Sequence, residues 1–166
     1  MTGSQKILLS AGLALIILGM AYGFWYALVD EHPTLERMGM SLASAFAEVA
    51  TGEMGQARES LQAYGETRFE YLRDVHTHGH LAALSTLLLV LGMFFKQLAF
   101  SERVRQYLAS ILVFGTVALP LGSFLEMFFT GPVPAVLALL GAVCIIAGLA
   151  GAAVGLLLVP TSGRTD

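Results

Sequence analysis

Hydrophobic residues along this 166-residue chain come in blocks and do not alternate. Residues 7–29, ILLSAGLALIILGMAYGFWYALV, carry no charge; residues 107–129 carry one, Glu126; residues 133–159 carry none. A bilayer core of about 30 Å needs roughly 20 helical residues, so each block is long enough to cross. A fourth block, Leu81 to Phe95, is too short by itself and makes a span only if it starts near His76. Continuous runs argue for helices over a β-barrel, because backbone polar groups in lipid are satisfied only within helices or closed barrels. The pattern therefore predicts an all-α fold. Four transmembrane helices, at 7–29, 76–97, 105–129 and 133–159, form a bundle within a single integral membrane domain over 1–166. The first block is too long for a signal-peptide core and lacks a small-x-small cleavage site, so it reads as a membrane anchor.

The segment between the first two spans, 30–75, has a different rhythm. Leu35, Met38, Leu42, Phe46 and Val49 recur at helical spacing. Thr34, after Pro33, reads as a helix cap and Gly52 as a stop. A second helix follows, with Leu61, Tyr64, Leu72 and Val75 near one side and no proline before the next span. The expectation is a helical hairpin whose apolar face either meets the bundle or lies on the membrane surface. Its second helix is either continuous with the second span or interrupted at Gly65 or Gly79.

Composition agrees with a membrane protein: 56% hydrophobic, 13% charged, mean hydropathy +0.73. Lys6, Lys96, Arg103, Arg105 and Arg164 fall on one side of four spans. By the positive-inside rule both termini are then cytoplasmic. Residues 30–75, with nine acids against four arginines, face outward, as expected in a bacterial inner membrane. A net charge of −3 offers no nucleic-acid footprint. Cys144 stands alone and reads as apolar packing. Gly141, Gly148 and Gly155 recur every seven residues, and Gly12, Gly19 and Gly23 line the first span. Such stripes permit close helix approach, within the chain or to a homo-oligomer partner or other membrane subunits. Tyr22, Trp25 and Tyr26 read as an interfacial aromatic belt, with a cofactor-pocket wall as the alternative.

The candidate chemistry lies in DVHTHGH, 74–80, which holds three of the four histidines. On an unbroken helix His76 and His80 share one face and His78 lies roughly opposite; a break at Gly79 lets all three converge. The His78 face continues through Tyr71, Asp74, Ala82, Ser85 and Gly92 and is expected to look inward. Asp74, one turn earlier, is placed to orient the His78 ring, with Tyr71 nearby and Glu70 or His32 around them. Glu126, the lone intramembrane acid, falls at the same depth by topology and shares a stripe with Gly115 and Gly122, so it too is expected inside. Pro120 is expected to kink or loosen that helix. Imidazole with carboxylate suits copper, iron or zinc, so His76, His78, His80 and Glu126 form a candidate metal set, with Asp74 and Tyr71 behind it. Heme b is the other candidate, with a second axial ligand from Met20, Met127, another histidine or a second copy of the chain. The plain alternatives are solvated histidines and a structural Glu126–Arg73 clamp.

ILGMAYG in the first span and VHTHGHLAALSTLLLVLG opening the second resemble a pattern of small four-helix membrane proteins related to heme-copper oxidase subunit I. The resemblance implies heme binding by His76 or His78 on the outer side. The chain departs from that pattern in His80, in the 30–75 insert and in having no histidine in its last two spans. The expected function is electron transfer or metal handling at a metal or heme centre, alone or inside a larger respiratory or oxidase complex. The alternatives are a cofactor-free accessory subunit and a metal-delivery or transport component. Whether it is an enzyme stays open.

Overall fold

The computed structural model describes residues 1–126, 128–129 and 131–159, and most of these are helical, with short turns and extended links between the helices. The helices are α1 (Gly3–Val29), α2 (Glu31–Thr51), α3 (Met54–Phe94), α4 (Glu102–Leu125) and α5 (Pro132–Leu157), with a 3₁₀ turn at Phe95–Gln97. By length and composition α1, α3 with its 3₁₀ extension, α4 and α5 can each cross a membrane. The expected spans 7–29 and 76–97 fall within α1 and within α3 with its 3₁₀ extension, whereas α4 and α5 end at Leu125 and Leu157, short of the expected 129 and 159. At its other end α3 starts 22 residues before the expected boundary at 76. Gly65 and Gly79 do not interrupt it, so the alternative of a broken helix at the histidines is not realised. The chain divides into two compact units, residues 20–78 and the remainder.

In the larger unit, α4 and α5 run antiparallel in close contact through glycine. A β-carbon on Gly122 would lie 2.5 Å from the Ala138 nitrogen and 2.7 Å from the Pro134 carbonyl oxygen. Gly115 meets Gly141 and Ile145, Gly148 meets Leu112, and Gly155 meets Phe100. The recurring glycines of the last span are thus used within the chain. Pro120 is accommodated inside α4, where it is buried. In the same unit Gly12 faces Ser85 and Leu89, Gly19 faces Leu81, and Gly92 faces Leu8 and Leu9, so α1 and α3 are also antiparallel. Leu8, Leu15, Leu88, Phe95, Leu98, Ala109, Leu112 and Ala152 form the core.

One end of this unit is held by polar contacts. The Glu102 carboxylate accepts from the Ser4 amide at 2.8 Å and lies 3.0 Å from Arg105. It thereby satisfies an N-terminal amide of α1 while itself sitting in the first turn of α4, favourable to both helix dipoles. Gln5 donates to the Gly92 carbonyl at 3.1 Å, and Arg105 to the Lys96 carbonyl at 2.6 Å.

In the smaller unit, α1 passes into α2 with only Asp30 between them. Pro33 has no N–H to give the Val29 carbonyl, which favours a break there. Asp30 bridges the break: its amide donates to Tyr26 at 2.9 Å and its carbonyl accepts from Thr34 at 3.1 Å. This corrects the expected cap. Asp30 occupies that position, and Thr34 is a buried residue inside α2 whose hydroxyl accepts from Arg37 at 3.0 Å. Gly52 stops α2 as expected, in the left-handed region at φ 80°, with Glu53 donating to the Glu48 carbonyl at 2.8 Å. The buried residues on α2 are Thr34 and Ala45, and Ala57 is buried at the start of α3. The larger apolar stripe of α2 is left outside: Leu35, Phe46 and Val49 are exposed within the described structure. Small residues can approach a neighbouring backbone more closely, and that is the face this unit buries.

Candidate functional site

The buried face of α1 repeats at three- and four-residue intervals: Gln5, Leu8, Gly12, Leu15, Gly19 and Tyr26 are buried and Tyr22 is half-buried. α3 has a matching series in Asp74, Thr77, Ser85, Leu88, Gly92 and Phe95. Within each unit, spacing of this kind is that of helices packed against one another. Most of both series is apolar or small. The exception is the set within residues 20–78, where α1 contributes Tyr22, Gly23 and Tyr26, and α3 contributes Arg73, Asp74, Thr77 and His78.

Asp74 is 6% exposed. Its Oδ1 accepts from the Tyr22 hydroxyl at 3.2 Å and lies 3.9 Å from the Arg73 Nε. The other charges that act on it are Asp30 and Glu70. Tyr26, 6% exposed, shares this field, with Asp74, Tyr71, Glu31 and Asp30 acting on it. The Tyr26 hydroxyl, the Thr77 Oγ1 and the Arg73 Nε are buried without a hydrogen-bond partner in the protein. Buried polar atoms in that condition are uncommon and mark strain, function, or a missing water or ion. His78 completes the set. It follows Asp74 by four residues on the same face of α3, and its ring lies on Gly23. A β-carbon there would come within 2.6 Å of Nδ1 and 3.0 Å of Nε2. A side chain at 23 would force the ring or the helix to shift, because the imidazole occupies that volume.

The expected site residues separate. His78 and Asp74 face inward with Tyr71 half-buried beside them, as the face pattern indicated. His76 and His80 are exposed on the far side of the same unbroken helix, and His32 and Glu70 are exposed as well. Glu126 is exposed, which corrects its inward placement. Gly115 and Gly122 do pack against α5, but the helix ends at Leu125 and Glu126 leaves their stripe. Among the described residues no group of three or more His, Cys, Asp or Glu side chains is close enough to hold a metal ion. The four-residue set of His76, His78, His80 and Glu126 is therefore not assembled in this conformation. Met20 is 62% exposed, and Met127 lies outside the described residues.

A heme fits poorly at His78. An axial imidazole must present one nitrogen to a slot wide enough for the macrocycle, and this ring lies directly on the backbone of α1. A bare ion asks for less room. Asp74 and His78 are residue types that ligate transition metals, the Tyr22 hydroxyl donates to the carboxylate, and the Tyr26 and Thr77 hydroxyls are buried in the same unit.

Of the three aromatic residues expected in an interfacial belt or a pocket wall, Trp25 is about half exposed, with its ring 6.1 Å from that of Tyr22. Both tyrosines turn inward, and the signal was available: Tyr26 continues the Leu8, Gly12, Leu15, Gly19 series. Thr77 drew no attention because it lies between histidines. No protein-family model matches the chain, and neither the curated proteins nor the solved structures contain a match to it.

Proposed function

We propose that this chain is an integral membrane protein that binds one transition-metal ion at Asp74 and His78. In this reading both termini are cytoplasmic and residues 30–75 form an extracytoplasmic helical hairpin. Its role is metal handling or electron transfer near the outer face, alone or as a subunit of a larger membrane complex. The observation that carries it is a buried carboxylate with an imidazole one helical turn away, beside two buried hydroxyls that lack protein partners. Buried ionisable groups at a membrane boundary are costly and are retained mainly where they do chemistry or binding. Asp74 and His78 would hold the ion, water and the Tyr26 or Thr77 hydroxyl would complete its shell, and Tyr22 would orient the carboxylate. A bound copper or iron would supply one-electron chemistry; zinc would supply charge alone.

Metal analysis of the full-length protein purified in detergent tests this directly. Wild type is expected to retain stoichiometric metal, and Asp74→Asn and His78→Ala to lose it. Tyr22→Phe is expected to weaken binding by about 10–100-fold, the usual effect of removing a group that positions a ligand. Absence of bound metal from wild type after reconstitution with zinc, copper and iron in turn would defeat the proposal. A visible spectrum with a Soret band would restore heme as the cofactor.

A second reading has its own support. The fit of His78 on Gly23 and the Tyr22–Asp74 hydrogen bond also serve to lock α1 to α3 in a cofactor-free accessory subunit. Under that reading the same variants lower the melting temperature although wild type binds no metal.

A further inference from the structure

The smaller unit leaves an apolar face of α2 uncovered. Leu35, Phe46 and Val49 are 46%, 70% and 47% exposed, with Leu42 half-buried between them. At about 100° per residue, these four side chains leave the helix within about 60° of one another. The inward face is a different one, marked by Thr34 and Ala45. A contiguous apolar stripe in water marks a contact surface. Lipid does not reach most of it. The apolar block of α1 ends at Val29. Across Asp30 the amide donates to Tyr26 and the carbonyl accepts from Thr34, each a helical step of four residues, and Asp30 keeps φ −115° and ψ −29°. The chain therefore bends there without folding back. At 1.5 Å per residue Phe46 stands about 24 Å past Asp30, whereas headgroups add only about 5–8 Å to each side of the hydrocarbon core.

Charge decides between the protein occupants. Residues 30–75 carry nine acids and four arginines, so two copies of this surface repel. Glu31 heads the stripe, Glu36 flanks it and Glu53 follows the end of α2. The one arginine of α2, Arg37, leaves the helix on the opposite side and donates to Thr34. Open grooves on α3 in the same unit add Glu59, Glu66 and Glu70 against Arg73 alone. We propose that the Leu35–Val49 face of α2 docks a basic, apolar-faced helical segment of another protein, the mode in which an amphipathic helix lays its apolar side on a complementary surface. The partner's apolar side covers Leu35, Leu42, Phe46 and Val49, and its lysines or arginines pair with Glu31, Glu36 and Glu53. Phe46, the most exposed of the stripe and its one aromatic residue, is the anchor. The inference goes beyond the metal reading and stands without it.

Titration calorimetry tests this on the full chain in phosphatidylcholine nanodiscs, with binding to empty nanodiscs subtracted. The probes are two synthetic helical peptides that share a leucine face and carry either lysine or glutamate opposite it. The lysine peptide is expected to bind at least about tenfold more tightly than the glutamate peptide, and less tightly as salt is raised. Phe46→Gln, a change at an exposed position, is expected to weaken the lysine peptide about tenfold. Glu36→Gln is expected to weaken it a few-fold and to reduce its salt dependence. Equal binding of the two peptides overturns the proposal, as does wild-type affinity in Phe46→Gln. Two further results overturn it by naming another occupant. A wild-type dimer that Phe46→Gln dissociates assigns the face to a second copy. Fluorescence of Phe46→Trp quenched by brominated lipid, beyond the quenching of Trp25 in wild type, assigns it to the bilayer.

Discussion

Gly23→Ala is the most informative single change to the contact between α1 and the site. The added methyl would lie 2.6 Å from the His78 Nδ1 and 3.0 Å from Nε2, where ordinary van der Waals contact begins at 3.4 Å. Either the imidazole rotates away or the helices move apart by several tenths of an ångström. Forcing a methyl into a filled contact of this kind costs about 1–3 kcal/mol, while Ala for Gly within a helix returns up to about 1 kcal/mol. The expected net is a loss of up to ~2 kcal/mol, together with misplacement of a proposed ligand. Gly39→Ala is the matched control. Gly39 is also helical, but a β-carbon there meets nothing within 4 Å, so only the propensity gain of about 1 kcal/mol applies. Thermal unfolding in detergent, followed by circular dichroism, should therefore show the melting temperature falling for Gly23→Ala and rising for Gly39→Ala. A rise for both would refute the placement of His78 against α1.

Gly79→Ala should leave metal binding unchanged and raise the melting temperature slightly, because α3 runs straight through this open position; loss of metal in that variant would instead support a broken helix and a three-histidine site. Gly122→Ala should lower the melting temperature more than Gly151→Ala, since the first methyl meets the backbone of Ala138 and Pro134 and the second only the flexible side chain of Leu108. Glu126→Gln should alter neither stability nor metal content, because the carboxylate is exposed beyond the end of α4; a loss of metal would return Glu126 to the site.

Much of the architecture was legible because lipid imposes simple rules. Uncharged runs of about 20 residues can cross as helices, and four of the described helices meet that requirement. The inward face of α3 was legible from its small and polar residues, Asp74, Ser85 and Gly92 among them, and the buried positions agree. Three features were not legible. The start of the second helix was misplaced because Pro33 is tolerated inside a first helical turn, where a missing N–H costs nothing. The α2 stripe of Leu35, Phe46 and Val49 left two expectations open, the bundle or the membrane surface; it is exposed within the described structure, and hydrophobicity does not rank faces by how closely they can approach, so Ala45 and Thr34 are buried instead. Glu126 was extrapolated along a stripe from Gly115 and Gly122, a method that fails once the helix ends one residue too soon. The histidines divided as an unbroken helix requires, so their clustering in sequence exaggerated their proximity in space. Tyr22 and Tyr26 carried two signals at once, aromatic near a span end and in register with the buried series of α1; the register prevailed.

Metal content of the purified full-length protein, compared among wild type, Asp74→Asn, His78→Ala and His76→Ala, tests the central claim. Stoichiometric metal is expected in wild type and in His76→Ala, whose side chain is exposed on the opposite face of α3, with loss in the other two. A metal-free wild type, or retention of metal by both Asp74→Asn and His78→Ala, would contradict it.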